Sequence, residues 1–243
     1  MAKRMTDGLF PTEIEVDGMI CRVIRSTARR SVCVRVAADA VPEILAPAYV
    51  KAEELRLIAG KYSDWLREHI AERENLNASR EGFTLHIGDR LRCLGGERIL
   101  READGNHISY NDEAFYVPRR LDRESLRAAV VQVYKLLAGN HLKERTAHFA
   151  RLMGLSPSSV KINSAKSHWG TCSARGSINY TWYTMMADRE AVDYIVIHEL
   201  CHMKHFDHSP EFWSEVAEYC PDYTVRKERL KTLWREIQRE NWG

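Results

Sequence analysis

Long apolar runs are absent from this 243-residue sequence. No window approaches the eighteen or more consecutive apolar residues that a membrane-spanning helix needs, and the first residues, MAKRMTDGLFPTE, lack the apolar core of a signal peptide. These absences predict a soluble cytoplasmic protein. A hydrophobic content of 44% is still enough to build a core, so we expect one large domain or two small ones.

Closely spaced cysteines and an excess of charge of one sign are also lacking. The six cysteines are scattered, with no CxxC pair, which argues against a disulfide scaffold and favours reduced thiols. The net charge is +2 with both signs mixed along the chain, which is too weak a bias to predict a nucleic-acid or membrane partner. Composition therefore leaves the substrate open.

Residues 1–120 are predicted to form a β-rich region with one helix. Asp17-Gly18 stands between two extended runs, which is the strongest short hairpin signal, and period-two alternation returns over residues 83–118. Between these strands, residues 50–75 carry apolar side chains at spacings of three and four, and this predicts one amphipathic helix despite Gly60. The sequence shows no internal repeat.

Residues 121–243 are predicted to form a second domain. Asp122 is a suitable N-cap for a long amphipathic helix that ends at Gly154, and Asp188 is a suitable N-cap for a helix through AVDYIVIHELCHMKH. Between these helices, the segment SINYTWY (177–183) has the composition of a strand. The expected fold class is α+β.

Residues 198–202 form an H-E-x-x-H motif inside the second of these helices. Residues four apart lie on one helical face, so His198 and His202 can converge on one metal ion while Glu199 projects toward a bound water. The other face of the helix is apolar and would anchor it in the core. The motif predicts a zinc site; the alternative is a histidine-rich helix whose imidazoles are only surface or core residues.

A catalytic zinc site normally has three protein ligands, so a third ligand is expected near the motif. His208 is the predicted ligand, because it follows His202 by six residues, the spacing of the extended H-E-x-x-H-x-x-G-x-x-H pattern. His205 stands in place of the glycine of that pattern and is either a solvated residue at the helix end or an alternative ligand. Cys172 is either a structural thiol or a ligand.

These residues predict a hydrolase that uses Zn²⁺. Zinc lowers the pKa of its bound water and polarises the substrate carbonyl, while Glu199 takes the proton of the water and delivers it to the leaving amine. The predicted metal ligands are His198, His202 and His208, and the predicted catalytic residue is Glu199.

The C-terminal half of the sequence resembles the YgjP-like family of zinc metallopeptidases, which are relatives of the SprT-like peptidases. The likeness extends loosely into the N-terminal β-rich region. It is carried by these blocks, in the order in which the family has them: Trp169-Gly170-Thr171-Cys172-Ser173, Ile178-Asn179-Tyr180, residues 193–202, His208-Ser209 and Phe212-Trp213.

The resemblance implies a compact zincin-type catalytic unit, with helices on a small mixed sheet, that hydrolyses peptide or protein substrates. It also implies that His198, His202 and His208 are the zinc ligands and that Glu199 is the catalytic residue. By analogy with zincins, the SINYTWY strand is the expected sheet edge for an extended peptide. The alternative is that the aromatic residues of this strand only pack the sheet.

Two other functions are compatible with the sequence. The first is a DNA-associated protease of the SprT type, although alternating charges along a strand are more typical of a solvated face. The feature that favours it is a run of five arginines: Arg22, Arg25, Arg29, Arg30 and Arg35. The second is a binding module with a structural zinc ion, for which His205 or Cys172 supplies a fourth ligand. The sequence predicts no oligomeric state.

Overall fold

The computed structural model describes residues 10–243. The chain divides into two compact units, with the boundary between Phe83 and Thr84. Each unit combines helices with a mixed sheet, so the predicted α+β class is confirmed. Within the part of the chain described, no helix is both long and apolar enough to cross a membrane.

The first unit contains one four-stranded sheet and two helices. Its sheet has the order β1-β2-β4-β3, in which β2 and β4 are parallel and the other pairs are antiparallel. Alternate residues of the strands, such as Ile14 and Ile44, are buried against Leu55 and Leu66 of the helices. The elements are β1 (Glu13–Val16), β2 (Met19–Ser26), β3 (Cys33–Val36), β4 (Pro42–Pro47), α1 (Ala52–Gly60) and α2 (Ser63–Gly82).

The single helix predicted over residues 50–75 is wrong, because the structure has two helices there. Tyr62, between them, has φ −111° and ψ 12° and leaves the helical conformation. The hydroxyl of Ser63 bonds to the carbonyl of Gly60 at 2.9 Å and to the carboxylate of Asp17 in the β1–β2 turn. Glycine weakens a helix, and the contact of Ser63 with the turn fixes the break at this point.

The second unit begins with another four-stranded sheet, which packs on a long helix. The order of this sheet is β5-β6-β8-β7. Tyr134 of the helix contacts Phe115 edge-to-face at 4.9 Å, and its hydroxyl donates to the carbonyl of Arg92 at 2.7 Å. The elements are β5 (Arg90–Cys93), β6 (Gly96–Ala103), β7 (Ser109–Tyr110), β8 (Ala114–Pro118) and α3 (Arg123–Leu152).

The boundary between the compact units differs from the predicted domain boundary at residue 120. The sequence places β5–β8 in the N-terminal region, whereas the structure places them in the same unit as α3. The physical reason is the shared core: Phe115 and Tyr134 are both fully buried, and no pattern within the strands themselves indicates which helix covers them.

The two four-stranded sheets repeat one topological module. Both have the same strand order, with the same succession of antiparallel, parallel and antiparallel pairs. The first turn of each also matches, since Asp17 and Gly18 have φ 48° and 79° while Leu94 and Gly95 have φ 51° and 82°. Positive φ at both central residues is typical of the tight turn that suits the twist of a hairpin. The repeat is not visible in the sequence, because the two segments share a strand pattern rather than identical residues.

The rest of the second unit is a three-stranded sheet surrounded by helices. The sheet has the order β10-β11-β9, with β11 antiparallel to β10 and parallel to β9. The strand predicted over residues 177–183 ends at Thr181, where a short 3-10 helix (Trp182–Met186) begins. The other elements are β9 (Ser159–Asn163), β10 (Gly170–Cys172), β11 (Ser177–Thr181), α4 (Arg189–Cys201), α5 (Pro210–Tyr219) and α6 (Tyr223–Ile237).

Candidate metal centre

Helix α4 is a rigid support for the H-E-x-x-H motif. The side chain of Asp188 caps its first turn by accepting a hydrogen bond from the backbone N–H of Ala191 at 2.7 Å, as predicted. Arg145 of α3 forms two parallel bonds to the carboxylate of Asp193, at 2.7 and 2.9 Å. The apolar face of α4 is buried, so the helix is fixed at its start, in its middle and along one side.

The structure brings His198, His202 and His208 together. One ligand atom from each of the three imidazoles lies within 4.8 Å of the others, and the two Nε2 atoms of His198 and His208 are 3.3 Å apart. Two nitrogens that each lie about 2.05 Å from a tetrahedral zinc ion are separated by about 3.3 Å. The donor set therefore fits a zinc ion. Over residues 10–243, the cluster contains these three imidazoles and no fourth side chain of a metal-ligating type.

The loop after α4 orients His202. Its Nδ1 lies 2.9 Å from the backbone carbonyl of His205, and because a carbonyl can only accept, Nδ1 carries the proton and Nε2 has the free lone pair. Glu215 of α5 holds this loop by bonding to Lys204 at 2.6 Å and to Nε2 of His205 at 2.8 Å. His205 thus lies against Glu215, outside the cluster of three imidazoles.

His208 reaches the cluster from the loop, and aromatic rings hold it there. Its imidazole stacks on Trp213, with ring centroids 5.5 Å apart and planes inclined at 24°, and meets Phe212 edge-on at 4.8 Å. Ser209 caps α5 by accepting a bond from the N–H of Phe212 at 3.4 Å, so the helix that carries both rings begins directly after His208. The position of the exposed His208 therefore depends on the start of α5.

Burial keeps the imidazole of His198 neutral. Desolvation, followed by the charges of His202, His208 and Lys227, lowers the pKa of His198 to about 3. A metal ion binds the neutral form of imidazole, so His198 needs to lose no proton before it can act as a ligand at neutral pH.

The carboxylate of Glu199 is buried, and one of its oxygens has no partner among residues 10–243. Its exposed fraction is 4%, and its Oε2 atom has no hydrogen-bond partner within the part of the chain described. Burial alone raises the pKa of Glu199 to about 8 in the metal-free site. Buried polar groups are almost always bonded, so an isolated carboxylate beside three imidazoles marks a functional site.

Strand β10 passes very close to Glu199. A Cβ atom at Gly170 would lie 2.7 Å from Cγ, Cδ and Oε1 of Glu199, so only glycine leaves room for this carboxylate. The neighbouring Cys172 is half-buried, its thiol bonds to the backbone carbonyl of Ser173 at 3.6 Å, and it lies outside the imidazole cluster. The backbone of β10 is thus the sheet element nearest to the proposed base.

The prediction that the SINYTWY strand forms the substrate-binding edge of the sheet is wrong. β11 lies between β10 and β9, so its backbone is bonded on both sides, and Tyr180, Trp182 and Tyr183 are buried. The packing alternative for these aromatic residues is therefore correct. The edge of the sheet that lies beside Glu199 is β10.

A cleft of about 270 Å³ opens beside His198 and Glu199. One side is formed by the segment that leads into β10, and the other by α6, which contributes Lys227 and Lys231. No sequence motif identifies these two lysines or Glu215 as parts of the site. They are distant from the motif in sequence, and no local pattern distinguishes them from ordinary surface or turn residues.

The run of arginines in the first unit is largely used for internal bonds. Arg22 pairs with Asp39 and Glu43, each at 2.9 Å, and Arg35 pairs with Glu43 at 2.6 Å. Arg25 donates to the backbone carbonyl of Val50 at 2.6 Å. Three of the five arginines that could favour nucleic acid are therefore engaged within their own unit.

Comparison with known proteins identifies the family. The YgjP-like metallopeptidase domain matches residues 30–233. The chain belongs to the YgjP-like family. The matched range includes all three imidazoles and Glu199, and a YgjP-like metallopeptidase domain implies a catalytic metal.

No match is found among curated proteins. Among solved structures, the chain is similar to that described as the crystal structure of the metallopeptidase zymogen of Pyrococcus abyssi abylysin. The two share 27% sequence identity over 41% of this chain and 97% of that chain, with a TM-score of 0.36.

Proposed function

We propose that the protein is a zinc-dependent peptidase, in which His198, His202 and His208 bind the zinc ion and Glu199 is the general base. The observation that carries this proposal is the convergence of three imidazoles within 4.8 Å beside a buried carboxylate that has no partner among residues 10–243. Membership of a metallopeptidase family supports the reaction class.

The donor set favours zinc held in a catalytic geometry. Three imidazoles would occupy three of the four coordination positions of a tetrahedral zinc ion. Catalytic zinc sites keep the fourth position for water or substrate. A zinc ion held by these imidazoles would supply Lewis acidity, which would make a water molecule acidic near neutral pH and polarise the carbonyl of the substrate. A structural site needs a fourth protein ligand, and neither His205 nor Cys172 lies in the cluster.

Glu199 takes and returns the proton. Its Oε2 atom has no hydrogen-bond partner among residues 10–243, so it is available to accept a proton. It accepts the proton of the attacking water and later donates it to the leaving amine. The close approach of Gly170 confines the carboxylate, so it stays directed at the same place through both transfers.

The substrate backbone binds along β10. Among the described residues this strand has one bonded neighbour, β11, so its other side is an edge, and Glu199 lies close to the strand at Gly170. A peptide that pairs with this edge uses main-chain hydrogen bonds, which tolerate many sequences, and places a carbonyl group near Glu199.

Hydrolysis of unfolded proteins and peptides by the purified protein tests the proposal. We expect cleavage by zinc-loaded protein, loss of cleavage after a chelator removes the metal, and recovery when zinc is restored. Zinc-loaded protein that cleaves none of a broad panel of peptides, or protein whose cleavage rate survives complete metal removal, would contradict the proposal.

A further inference from the structure

We propose that the cleft beside Glu199 selects peptides that place a carboxylate next to the scissile bond, with Lys227 and Lys231 as the specificity-determining residues. This inference rests on the proposed peptidase function and adds a substrate class to it. The carboxylate has two possible sources, an aspartate or glutamate side chain or the C-terminus of the peptide.

The dimensions of the cleft suit a single side chain. Its volume is about 270 Å³, below the roughly 300–1,000 Å³ of sites that enclose drug-sized ligands. Trp169, Ile195 and Leu230 supply apolar surface to the lining. A residue flanking the scissile bond of a peptide on β10 can therefore enter this space with its aliphatic part against these walls.

The charge of the lining is positive on the side of α6. Lys227 and Lys231 are four residues apart, so both lie on the face of α6 that borders the cleft. Lys231 bonds to Glu228 at 2.6 Å, which offsets one of the two positive charges. Lys227 forms no ion pair within residues 10–243, and its ammonium lies 4.6 Å from the ring centroid of Trp213.

The position of Lys227 links the cleft to the metal centre. Trp213, on whose ring the ammonium rests, also stacks on His208, so the positive charge is held beside the proposed ligand cluster. Glu199 is the only carboxylate among the residues that line the cleft. An incoming carboxylate therefore finds one cation without an ion-pair partner in the described chain, whereas an incoming lysine or arginine meets like charge.

A peptide carboxylate fits these observations better than the phosphate backbone of a nucleic acid. A phosphate backbone binds along an extended row of positively charged side chains, and single-stranded nucleic acid also needs exposed aromatic side chains on which its bases stack. This cleft instead is short, has apolar walls and borders the edge strand on which a peptide would lie.

The test compares matched peptides that carry glutamate or glutamine at each position around one scissile bond. For zinc-loaded wild type we expect kcat/KM to favour glutamate by about five-fold at one position, the factor that an exposed ion pair of about 1 kcal/mol provides. Lys227→Met should bring this ratio close to one, and Lys227→Glu should reverse it. Lys143→Glu, an equal charge change at an exposed position of α3, should leave the ratio unchanged.

The ratio is measured on one enzyme preparation, so partial loss of metal or of folded protein in a variant does not alter it. Peptides with a free or an amidated C-terminus separate the two sources: a five-fold preference for the free C-terminus assigns the site to the terminal carboxylate. Equal cleavage of all peptides by the wild type, or a preference that persists in Lys227→Glu, overturns this inference and leaves the proposed function standing. Cleavage of no peptide overturns the proposed function, and this inference with it.

Discussion

The two compact units each bury a glutamate, and they treat its charge in opposite ways. Glu43 in the first unit and Glu199 in the second are both 4% exposed. Bonds from Arg35 and Arg22 lower the pKa of Glu43, whereas burial without a partner raises the pKa of Glu199 to about 8. The two carboxylates are equally little exposed, yet that of Glu43 is charged at neutral pH, whereas that of Glu199 in the metal-free site can exchange a proton near neutral pH.

The different bonding of the two glutamates reflects a structural role for Glu43 and a chemical role for Glu199. In the first unit, Glu43 connects β4 to β2 and β3 through its two arginines, so its charge is matched and its oxygens are bonded. In the second unit, the Oε2 atom of Glu199 has no hydrogen-bond partner among residues 10–243, and the adjacent His198 belongs to the imidazole cluster. An unpaired buried carboxylate destabilises a fold, so its presence indicates a role in chemistry.

The largest expected effect is on catalysis. Glu199→Gln should lower kcat/KM by about 10²–10⁴-fold, because the amide cannot accept the proton of the water, while zinc remains bound. Glu43→Gln should retain the wild-type kcat/KM per folded molecule. Steady-state peptide hydrolysis on both variants measures this contrast, and an equal loss in the two would remove the distinction between the carboxylates.

Although Glu199→Gln should lower activity, it should raise the stability of the metal-free protein. In metal-free protein at pH 9, where the carboxylate of Glu199 is ionised, Glu199→Gln should raise the free energy of unfolding by about 1–3 kcal/mol, since it removes an unpaired buried charge. Denaturant unfolding of both chelated proteins measures the difference. A destabilised Glu199→Gln protein would show that this carboxylate has a stabilising partner.

Glu43→Gln should lower the free energy of unfolding at neutral pH by about 1–2 kcal/mol, because it weakens two charge-assisted bonds whose arginines are partly exposed. The folded-state pKa of Glu43 is below its ordinary value, so this stabilisation is present above the ordinary value and is lost as the pH falls through the lowered one. Unfolding at neutral and acid pH tests both statements, with the exposed Glu13→Gln of β1 as the control.

The smallest expected effect concerns a third glutamate, Glu215, which forms ion pairs and lies in the second unit. Glu215→Gln should weaken zinc binding by about 10-fold. The substitution weakens the bonds from Glu215 to Lys204 and His205, which hold the loop whose His205 carbonyl accepts from His202. Competition with a chelating dye measures the affinity. Glu218→Gln, at an exposed position of the same helix, should leave the affinity unchanged; equal weakening in both variants would assign the effect to α5 in general.

The features that sequence patterns predict correctly are local ones. Asp17-Gly18 forms the predicted turn, and Asp122 and Asp188 cap the predicted helices, because each depends on backbone geometry within a few residues. The convergence of His198 with His202 follows from the period of one helix. His208 joins them from the loop after the helix, six positions beyond His202, and the spacing of the extended motif indicates this position.

The features that the sequence leaves undetermined are set by distant contacts. The interior position of β11 depends on which strands pair with it, and the boundary at Phe83 depends on which helix covers β5–β8. The same holds for Lys227, which enters the site from α6. A single sequence records which residues alternate or repeat, but it does not record which surfaces meet.

Zinc stoichiometry of the wild type and three single variants tests the central claim most directly. At saturating zinc followed by desalting, we predict one zinc ion per chain for the wild type, for His205→Gln and for Cys172→Ser, and none for His208→Ala. A wild type that retains no zinc would contradict the proposed metal centre. A His208→Ala protein that retains a full zinc ion while Cys172→Ser or His205→Gln loses it would show that the ligand set is a different one.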